Sequence, residues 1–354
     1  MNKPQYTSPG ATRTYENDLV LRAACGKQTS RTPIWMMRQA GRTDPEYLRL
    51  REEAALPLED LFHHPEWAAR ISLLPKRIGV DAIIYFQDIL TPLGPMGAPF
   101  VFAPGPKLAH PVRTPADVEA LTTFDAAAEL PFIPDILGRV AEQLDGEMPV
   151  LGFSGAPLTL AVFLIEGGSF GADAPNTKQF INEQPEAMHA LLTKLTEVTI
   201  DYLQLQIESG IVAWQLFESA AHLFDVPQYR AFALPYQQQV FDALRGLTPS
   251  IMFAREWNDL TTLHASGSDI LSLPSTITIA DARQTLGEDL RVQGNLDNKL
   301  LIDGAWPDIE TAAAKALREG NRQGHIFNLS HGLLSTTPFE KVTTLVDFVR
   351  NFEA

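Results

Sequence analysis

The chain has 354 residues, enough for one large α/β barrel or two ordinary domains. Its 43 acidic against 28 basic residues give a net charge of −15, which excludes a general nucleic-acid binder, since that activity needs a basic footprint. Hydrophobic residues make up 45%, ample for a core, while a single cysteine, Cys25, excludes an internal disulfide and any zinc site built on two or more thiolates.

Residues 1–16 are polar, with two prolines and no apolar stretch. They read as a flexible N-terminal tail and not as a secretory signal. No run approaches the roughly 20 apolar residues of a membrane span. The expectation is a cytoplasmic chain with no membrane and no nucleic-acid partner.

Asn17 to Cys25 predicts a short helix stopped by Gly26. Thr32 to Met37 is a first apolar strand, and it runs into PIWMMRQAGR, residues 33 to 42. This stretch turns abruptly polar and carries Arg38 and Arg42 on either side of a backbone break at Gly41. In so acidic a chain it is a local reversal of charge. Guanidinium forks pair carboxylate or phosphate bidentately, so a strand ending in such a loop suits an anionic ligand.

A helical pattern follows over Pro45 to Ala55, and another opens at Pro65 and stops at Gly79. Asp81 to Phe86 is a second strand and delivers Asp88 just past its end. Residues 91 to 113 are rich in Pro and Gly and read as an inserted loop or small hairpin. Asp135 to Leu144 is helical. Pro149 to Phe153 is the third strand, followed by helices over Leu158 to Glu166 and Pro185 to Glu208. Ile211 to Phe217 is the fourth strand, and Val226 to Leu244 a helix. Ile251 to Ala254, Ile270 to Leu273 and Arg291 to Val292 start three more strands. The last strand is His325 to Leu329, and a helix over Pro338 to Phe348 closes the chain.

About eight apolar strands at roughly the 30-residue β-α spacing fit a single (β/α)8 TIM barrel over residues 17–354, with an additional N-terminal helix and loop insertions. An open doubly wound sheet would show GxGxxG after its first strand, and that motif is absent. Chemistry in such barrels collects at the C-terminal ends of the strands. The polar residues there are Arg38 and Arg42, Gln87 and Asp88, Ser154, then Glu218, Ser219 and His222, then Arg255, Asn295 and Asp297, and Asn328 and His331. Together they describe one pocket with cations on one side and a carboxylate on the other. Asp88 also suits a helix N-cap. GFSGAP at 152 to 157 has the wrong spacing for a nucleophile elbow, and neither a P-loop nor HExxH occurs. The pair His63-His64 is expected at the surface.

PIWMMRQAGR resembles the N-terminal signature of the uroporphyrinogen decarboxylase family. GFSGAPLTL followed by IEGG at 165 to 168 is similar to that family's second signature. QLFES at 215 to 219, QGNLD at 293 to 297 and NLSHG at 328 to 332 follow in the family's order. The resemblance covers roughly residues 17 to 352. It implies a homodimeric (β/α)8 barrel that needs no metal or organic cofactor. The implied reaction removes carbon dioxide from the four acetate side chains of uroporphyrinogen III, giving coproporphyrinogen III in haem and chlorophyll synthesis. It also implies that Arg38 and Arg42 bind substrate carboxylates, Asp88 faces the pyrrole NH groups, Ser219 and His331 contact substrate, and Phe153 is an apolar contact. Asp88 and Arg38 are the implied catalytic pair. Departures from the family pattern are Phe163 for a tyrosine, Pro274-Ser275 for Asp-Trp, Ser330 for a glycine, and Thr43-Asp44 for Tyr-Leu. Asp44 is thereby expected beside the carboxylate site. Two other readings share the barrel: a non-catalytic porphyrinogen-binding paralogue, and a cobamide or thiol methyltransferase.

Overall fold

The computed structural model describes residues 6–353. Seven parallel strands form one curled sheet: β1 (Ile83–Ile84), β4 (Val150–Gly155), β5 (Ala213–Glu218), β6 (Ser250–Ala254), β7 (Ile270–Ser272), β8 (Val292–Gln293) and β9 (His325–Ile326), in that spatial order. The interposed β2 (Phe100–Phe102) and β3 (Pro106–Leu108) pair antiparallel as a separate hairpin, so the insertion at 91 to 113 is the hairpin and not a plain loop. Neighbouring strands of the large sheet are also neighbours in sequence order, each joined to the next by helices on the outside. Proline opens several of these helices at the first turn, as in Pro45–Ala54, Pro65–Ser72, Pro157–Glu166 and Pro185–Glu208. At that position the missing N–H costs nothing.

The first apolar run, Thr32 to Met37, forms no regular strand. It lies extended between the two edges of the sheet. Ile34 makes an isolated parallel bridge with Phe327. The Phe327 N–H donates to the Pro33 carbonyl at 2.8 Å, and on the other side the Asp81 N–H donates to the Ile34 carbonyl at 2.8 Å. The observed architecture is therefore a curled seven-stranded parallel sheet with helices around it and one extended segment across its gap.

The concave face is filled by side chains. Trp35 Nε1 donates to Gln293 Oε1 at 3.0 Å. Gln293 Nε2 donates to Gln215 Oε1 at 2.8 Å and to Ser272 Oγ at 3.1 Å. All four side chains are buried, so this polar layer persists because its amides satisfy one another. It forms a floor beneath the strand ends.

Two expectations are corrected. The helix read over Val226 to Leu244 is two helices, Val226–Phe232 and Leu234–Ala243, because Pro235 has no N–H to continue the first. The tail read as flexible over 1–16 is docked from Tyr6 onward; residues 1–5 lie outside the described residues. The Ser8 N–H bonds the Leu247 carbonyl at 2.9 Å, and Arg291 Nη1 donates to Tyr6 Oη at 3.0 Å. Gly10 is buried against the turn before β5, where a Cβ would run into the carbonyl oxygens of Gly210 and Ile211. Among the described residues no helix is long and apolar enough to cross a membrane.

Gly10→Ala is expected to undock residues 6–16 and to lower stability by about 1–3 kcal/mol. Limited proteolysis and the thermal midpoint read this out; an unchanged cleavage pattern would count against the docking.

Candidate active site

The site begins at the turn that ends the extended segment. Arg38 has φ of 64°, in the left-handed region that side-chain-bearing residues seldom occupy. Such a conformation costs roughly 1–3 kcal/mol and persists only where the surroundings impose it. Here Gln39 imposes it. Its buried side chain accepts the Met36 N–H at 3.0 Å and donates to the Ala82 carbonyl at 3.0 Å. On the other flank Asn328 Oδ1 accepts the Met37 N–H at 3.2 Å, and the Leu333 N–H donates to the Met37 carbonyl at 3.0 Å. Arg38 is thereby pressed against Gly332, where a Cβ would lie 2.7 Å from Arg38 Cδ. A side chain at position 332 would therefore push the Arg38 side chain out of this position.

Most arginines of this chain are paired with acids, as Arg31 is with Asp81, Arg49 with Glu46 and Glu53, and Arg291 with Asp269. Arg38 and Arg42 have no ion pair within 4.0 Å among the described residues. Both side chains are exposed, Arg38 just before Gly41 and Arg42 just after it. Enclosure by protein lowers the Arg38 pKa, Asp88 opposes that, and Arg42 and Arg255 add to it. The guanidinium stays protonated all the same.

Asp44 is not beside the carboxylate site. It is 1% exposed and turned the other way. Its Oδ1 caps the helix Pro45–Ala54 by accepting the Glu46 N–H at 2.8 Å, and its carboxylate pairs with Arg77 on both guanidinium nitrogens. The acid that the sequence sets near the arginines is a helix cap, worth about 1 kcal/mol.

Asp88 sits half-buried past the end of β1. Its Oδ1 accepts the Leu90 N–H at 2.8 Å, so the capping role and a pocket role coexist. Oδ2 carries no hydrogen bond among the described residues. Burial pushes its pKa up to about 6, against the Leu90 N–H and the charge of Arg38, which lower it. A recess of about 70 Å³ opens beside it, lined by Phe62, Leu90, Pro99 and Phe100 among others.

Aromatic rings line the concave face above the glutamine layer. Phe153, Phe217, Phe253 and His331 touch in succession, with centroids 5.8, 5.5 and 5.9 Å apart. They come from β4, β5, β6 and the loop after β9, and the last contact crosses the mouth. Tyr85 touches Phe153 at 5.3 Å but turns its hydroxyl to Tyr202 of the helix Pro185–Glu208, 2.7 Å away. Burial, with Arg38 and Arg255 adding, pushes His331 down to about 4. It is neutral at pH 7, so the fixed positive charge of the mouth comes from Arg38, Arg42 and Arg255. Ser219 is half-buried just past β5.

Five other strand-end residues, Asn295, Asp297, Asn328, Glu218 and Ser154, are structural. Asn295 Nδ2 donates to the Pro274 and Ile277 carbonyls at 2.8 and 2.5 Å. Asp297 accepts the Lys299 N–H. Asn328 holds Met37, as above. Glu218 belongs to the outer face of β5: fully buried, it accepts from Thr159 Oγ1 at 2.5 Å and from Gln237 Nε2 at 3.1 Å. Ser154 is sealed inside, bonding only its neighbour's carbonyl. His63 and His64 are exposed as expected. Sequence reasoning missed Gln39 as the lock on Arg38, although it lies inside the signature stretch.

The profile of the uroporphyrinogen decarboxylase (URO-D) family matches residues 15–352. The uroporphyrinogen decarboxylase of Picosynechococcus sp. is 39% identical over 343 residues, covering 95% of this chain and 97% of that one. That of Geobacter sulfurreducens is 38% identical over 338 residues, covering 94% and 98%. This chain belongs to the uroporphyrinogen decarboxylase family. A solved methyltransferase from Methanosarcina mazei superposes with a TM-score of 0.79 at 17% identity, covering 97% of this chain and all of that one, a likeness of fold alone.

Of the departures from the uroporphyrinogen decarboxylase pattern, Phe163 has a local explanation, as Asp44 does above. Phe163 packs edge-on to Phe170 at 4.9 Å and to Phe100 at 6.3 Å, joining the Gly-rich loop to the β2–β3 hairpin without a hydroxyl. Nothing in the structure explains Pro274-Ser275 or Ser330, whose bonds to Asn295 and Leu296 use main-chain atoms that any residue there would offer.

Burial pushes Glu218 up to about 7, with Thr159 and Gln237 pulling it down. An acid with its pKa raised on folding penalises the native state once it ionises. The penalty is full above about pH 7 and fades as pH falls toward the ordinary carboxylate range. Glu218→Gln is therefore expected to gain stability over the parent above pH 7, with the gain shrinking toward pH 5. Denaturant midpoints across that range check it; a difference independent of pH would contradict the assignment.

Proposed function

We propose that the protein decarboxylates the four acetate side chains of uroporphyrinogen III to give coproporphyrinogen III in tetrapyrrole synthesis, with the chemistry carried by the substrate and the chain's own side chains. The observation that carries this reading is the juxtaposition of two unpaired arginines, Arg38 and Arg42, with Asp88 at one aromatic-lined mouth. We also read the curled sheet and the segment Pro33–Trp35 as one closed (β/α)8 barrel forming a single catalytic domain. The hydrogen bonds from Phe327 to Pro33 and from Asp81 to Ile34 support that. A homodimer in the cytoplasm belongs to the same proposal, on the strength of the family resemblance.

The substrate's chemistry matches the site. Its four inward pyrrole N–H groups need one acceptor, and Asp88 offers an oxygen with no other partner. Those donors favour the carboxylate form. The eight peripheral carboxylates need cations, which Arg38 and Arg42 supply. The apolar faces of the macrocycle need a flat hydrophobic wall, which Phe153 and its neighbouring rings provide, with His331 and Ser219 contacting the edge.

Decarboxylation breaks the bond between the acetate CH2 and its carboxylate and needs a sink for the electron pair. A pyrrole protonated on carbon is such a sink. The pair moves into the ring and carbon dioxide leaves. The exocyclic carbon then takes a proton to become methyl, and the ring gives one up, so that each cycle consumes one proton net. Asp88, anionic and close, stabilises the cationic ring that forms. Arg38 lies nearest the reacting chain and Arg42 anchors an outer carboxylate.

Anaerobic incubation with uroporphyrinogen III is expected to yield coproporphyrinogen III and four equivalents of carbon dioxide; binding without gas release would favour the non-catalytic paralogue. Asp88→Asn is expected to lower kcat at least about a hundredfold while leaving the fold intact. In the parent, kcat/KM should rise with pH through about 6, where Asp88 ionises in the free protein. The same limb in kcat should lie lower, because pyrrole N–H donors favour the anion. Near-parental turnover by Asp88→Asn would overturn the assignment.

A further inference from the structure

Arg38 and Arg42 belong to the arginine-rich opening stretch, but Arg255 reaches the mouth from the other side. β5 and β6 pair in register through Glu218 and Ala254, and the Arg255 N–H continues the ladder to the Glu218 carbonyl at 3.1 Å. Side chains alternate along a strand, so Arg255 shares a face with Phe253 two residues earlier. That face is the concave one, since Phe253 meets His331 across the mouth. Opposite Arg255, Ser219 follows Glu218, and the short turn Ala221–Leu223 carries His222.

Both side chains are short of partners. Arg255 Nε and His222 Nδ1 are buried atoms with no hydrogen bond among the described residues. The nearest carboxylate to Arg255 is Glu256, 3.7 Å away on a side chain 59% exposed. Burial lowers the His222 pKa and the charge of Arg255 lowers it further, which places the two groups in one electrostatic neighbourhood. Buried donors left open are costly, and a ligand that completes them recovers the cost.

We propose that Arg255, with His222 beside it, is a carboxylate subsite that holds a propionate of the tetrapyrrole, a chain that survives the reaction. This deepens the decarboxylase reading and rests on it. β1, which delivers Asp88, and β6 are separated in the sheet by β4 and β5. Three strand spacings make about 14 Å along the curve. That is on the scale from the centre of a tetrapyrrole to an extended side chain. The subsite suits a spectator chain for an energetic reason. A carboxylate gripped by a guanidinium whose one close acid among the described residues is the exposed Glu256 is stabilised in the ground state, and its charge vanishes when it leaves as carbon dioxide. Such a grip raises the barrier for the chain it holds. Arg38 differs, because the negative charge of Asp88 offsets part of its own.

Arg255→Gln keeps the side chain's polarity and removes its charge. Under anaerobic conditions its KM for uroporphyrinogen III is expected to rise about tenfold, the scale of one charge-assisted bond. Loss of uniform binding leaves kcat within about twofold. The dissociation constant of coproporphyrinogen III should rise by the same factor as KM, because the product keeps its propionates. Arg255→Lys should recover most of the loss, and His222→Gln should raise both constants to a smaller degree. Unchanged KM and product affinity in Arg255→Gln would overturn the subsite. So would a raised KM with unmoved product affinity, which places a departing acetate there, or a fall in kcat alone. A parent protein that binds coproporphyrinogen III yet releases no carbon dioxide from the substrate would sink the decarboxylase reading and leave the binding comparison intact.

Discussion

A single buried carboxylate holds the first wall of the site to the rest of the sheet. Asp81 is fully buried just before β1. Its two oxygens receive both terminal nitrogens of Arg31 at 2.7 and 2.5 Å, Asn17 Nδ2 at 2.7 Å and the Ile34 N–H at 2.8 Å. The segment 33–37 forms no regular strand and bridges Phe327 just past β9, and the carboxylate adds a side-chain anchor that fixes it beside β1. Taking such a charge out of water is costly, and the cost is recovered only when its lone pairs are satisfied. Here four donors do so, and three separate stretches of chain converge as a consequence. Arg38 and Arg42 stand where they do because Ile34 is pinned to Asp81 and Gln39 is pinned to Ala82.

The same accounting of partners separates working charges from structural ones. Arg77 lies near the opening stretch but spends its charge on Asp44. Arg31 spends its own on Asp81. At the mouth, Arg38 and Arg42 have no acid within 4.0 Å among the described residues, and Arg255 has only the exposed Glu256. In a chain of net charge −15, distant acids are screened within about 8–10 Å at ordinary ionic strength, so the local excess decides what binds. The histidine of the mouth adds a donor and not a charge, because its burial among cations keeps it neutral.

The alternation of strands and helices was legible from periodicity, and the long helix Pro185–Glu208 has the ends its proline and glutamate suggest. The strand-end rule brought Arg38, Asp88 and His331 to one neighbourhood. What could not be read was side-chain direction. Strands buried on both faces give unbroken apolar runs such as IVAWQLF, and such runs carry no record of which face each residue takes. Glu218 and Ser219 are adjacent in sequence and both polar, yet one faces the helices and the other the mouth. Asp44 misled for a related reason. Proximity in sequence to the arginines implied proximity in space, whereas a helix beginning at Pro45 calls for a cap at that very position. The docked tail was hidden because its contacts depend on Gly10 meeting a turn two hundred residues away.

Glu218 and Asp88 face the same problem and reach opposite ends. Each is a carboxylate past the apolar run of a strand, and burial raises the pKa of each, to about 7 and about 6. Around Glu218 the surroundings close. Thr159 and Gln237 take its oxygens, and Tyr229 Oη donates onward to the Gln237 amide at 3.2 Å. Nothing is left for a ligand, and the group acts as a joint between β5 and its helices. Around Asp88 the surroundings stop half-way. One oxygen caps its own turn and the other is left without a hydrogen bond among the described residues, within the field of Arg38. A buried carboxylate in that state is poised for a cluster of N–H donors, since they supply the hydrogen bonds the fold withholds and favour the charge that burial opposes. The difference between the two acids is the number of lone pairs the protein leaves open.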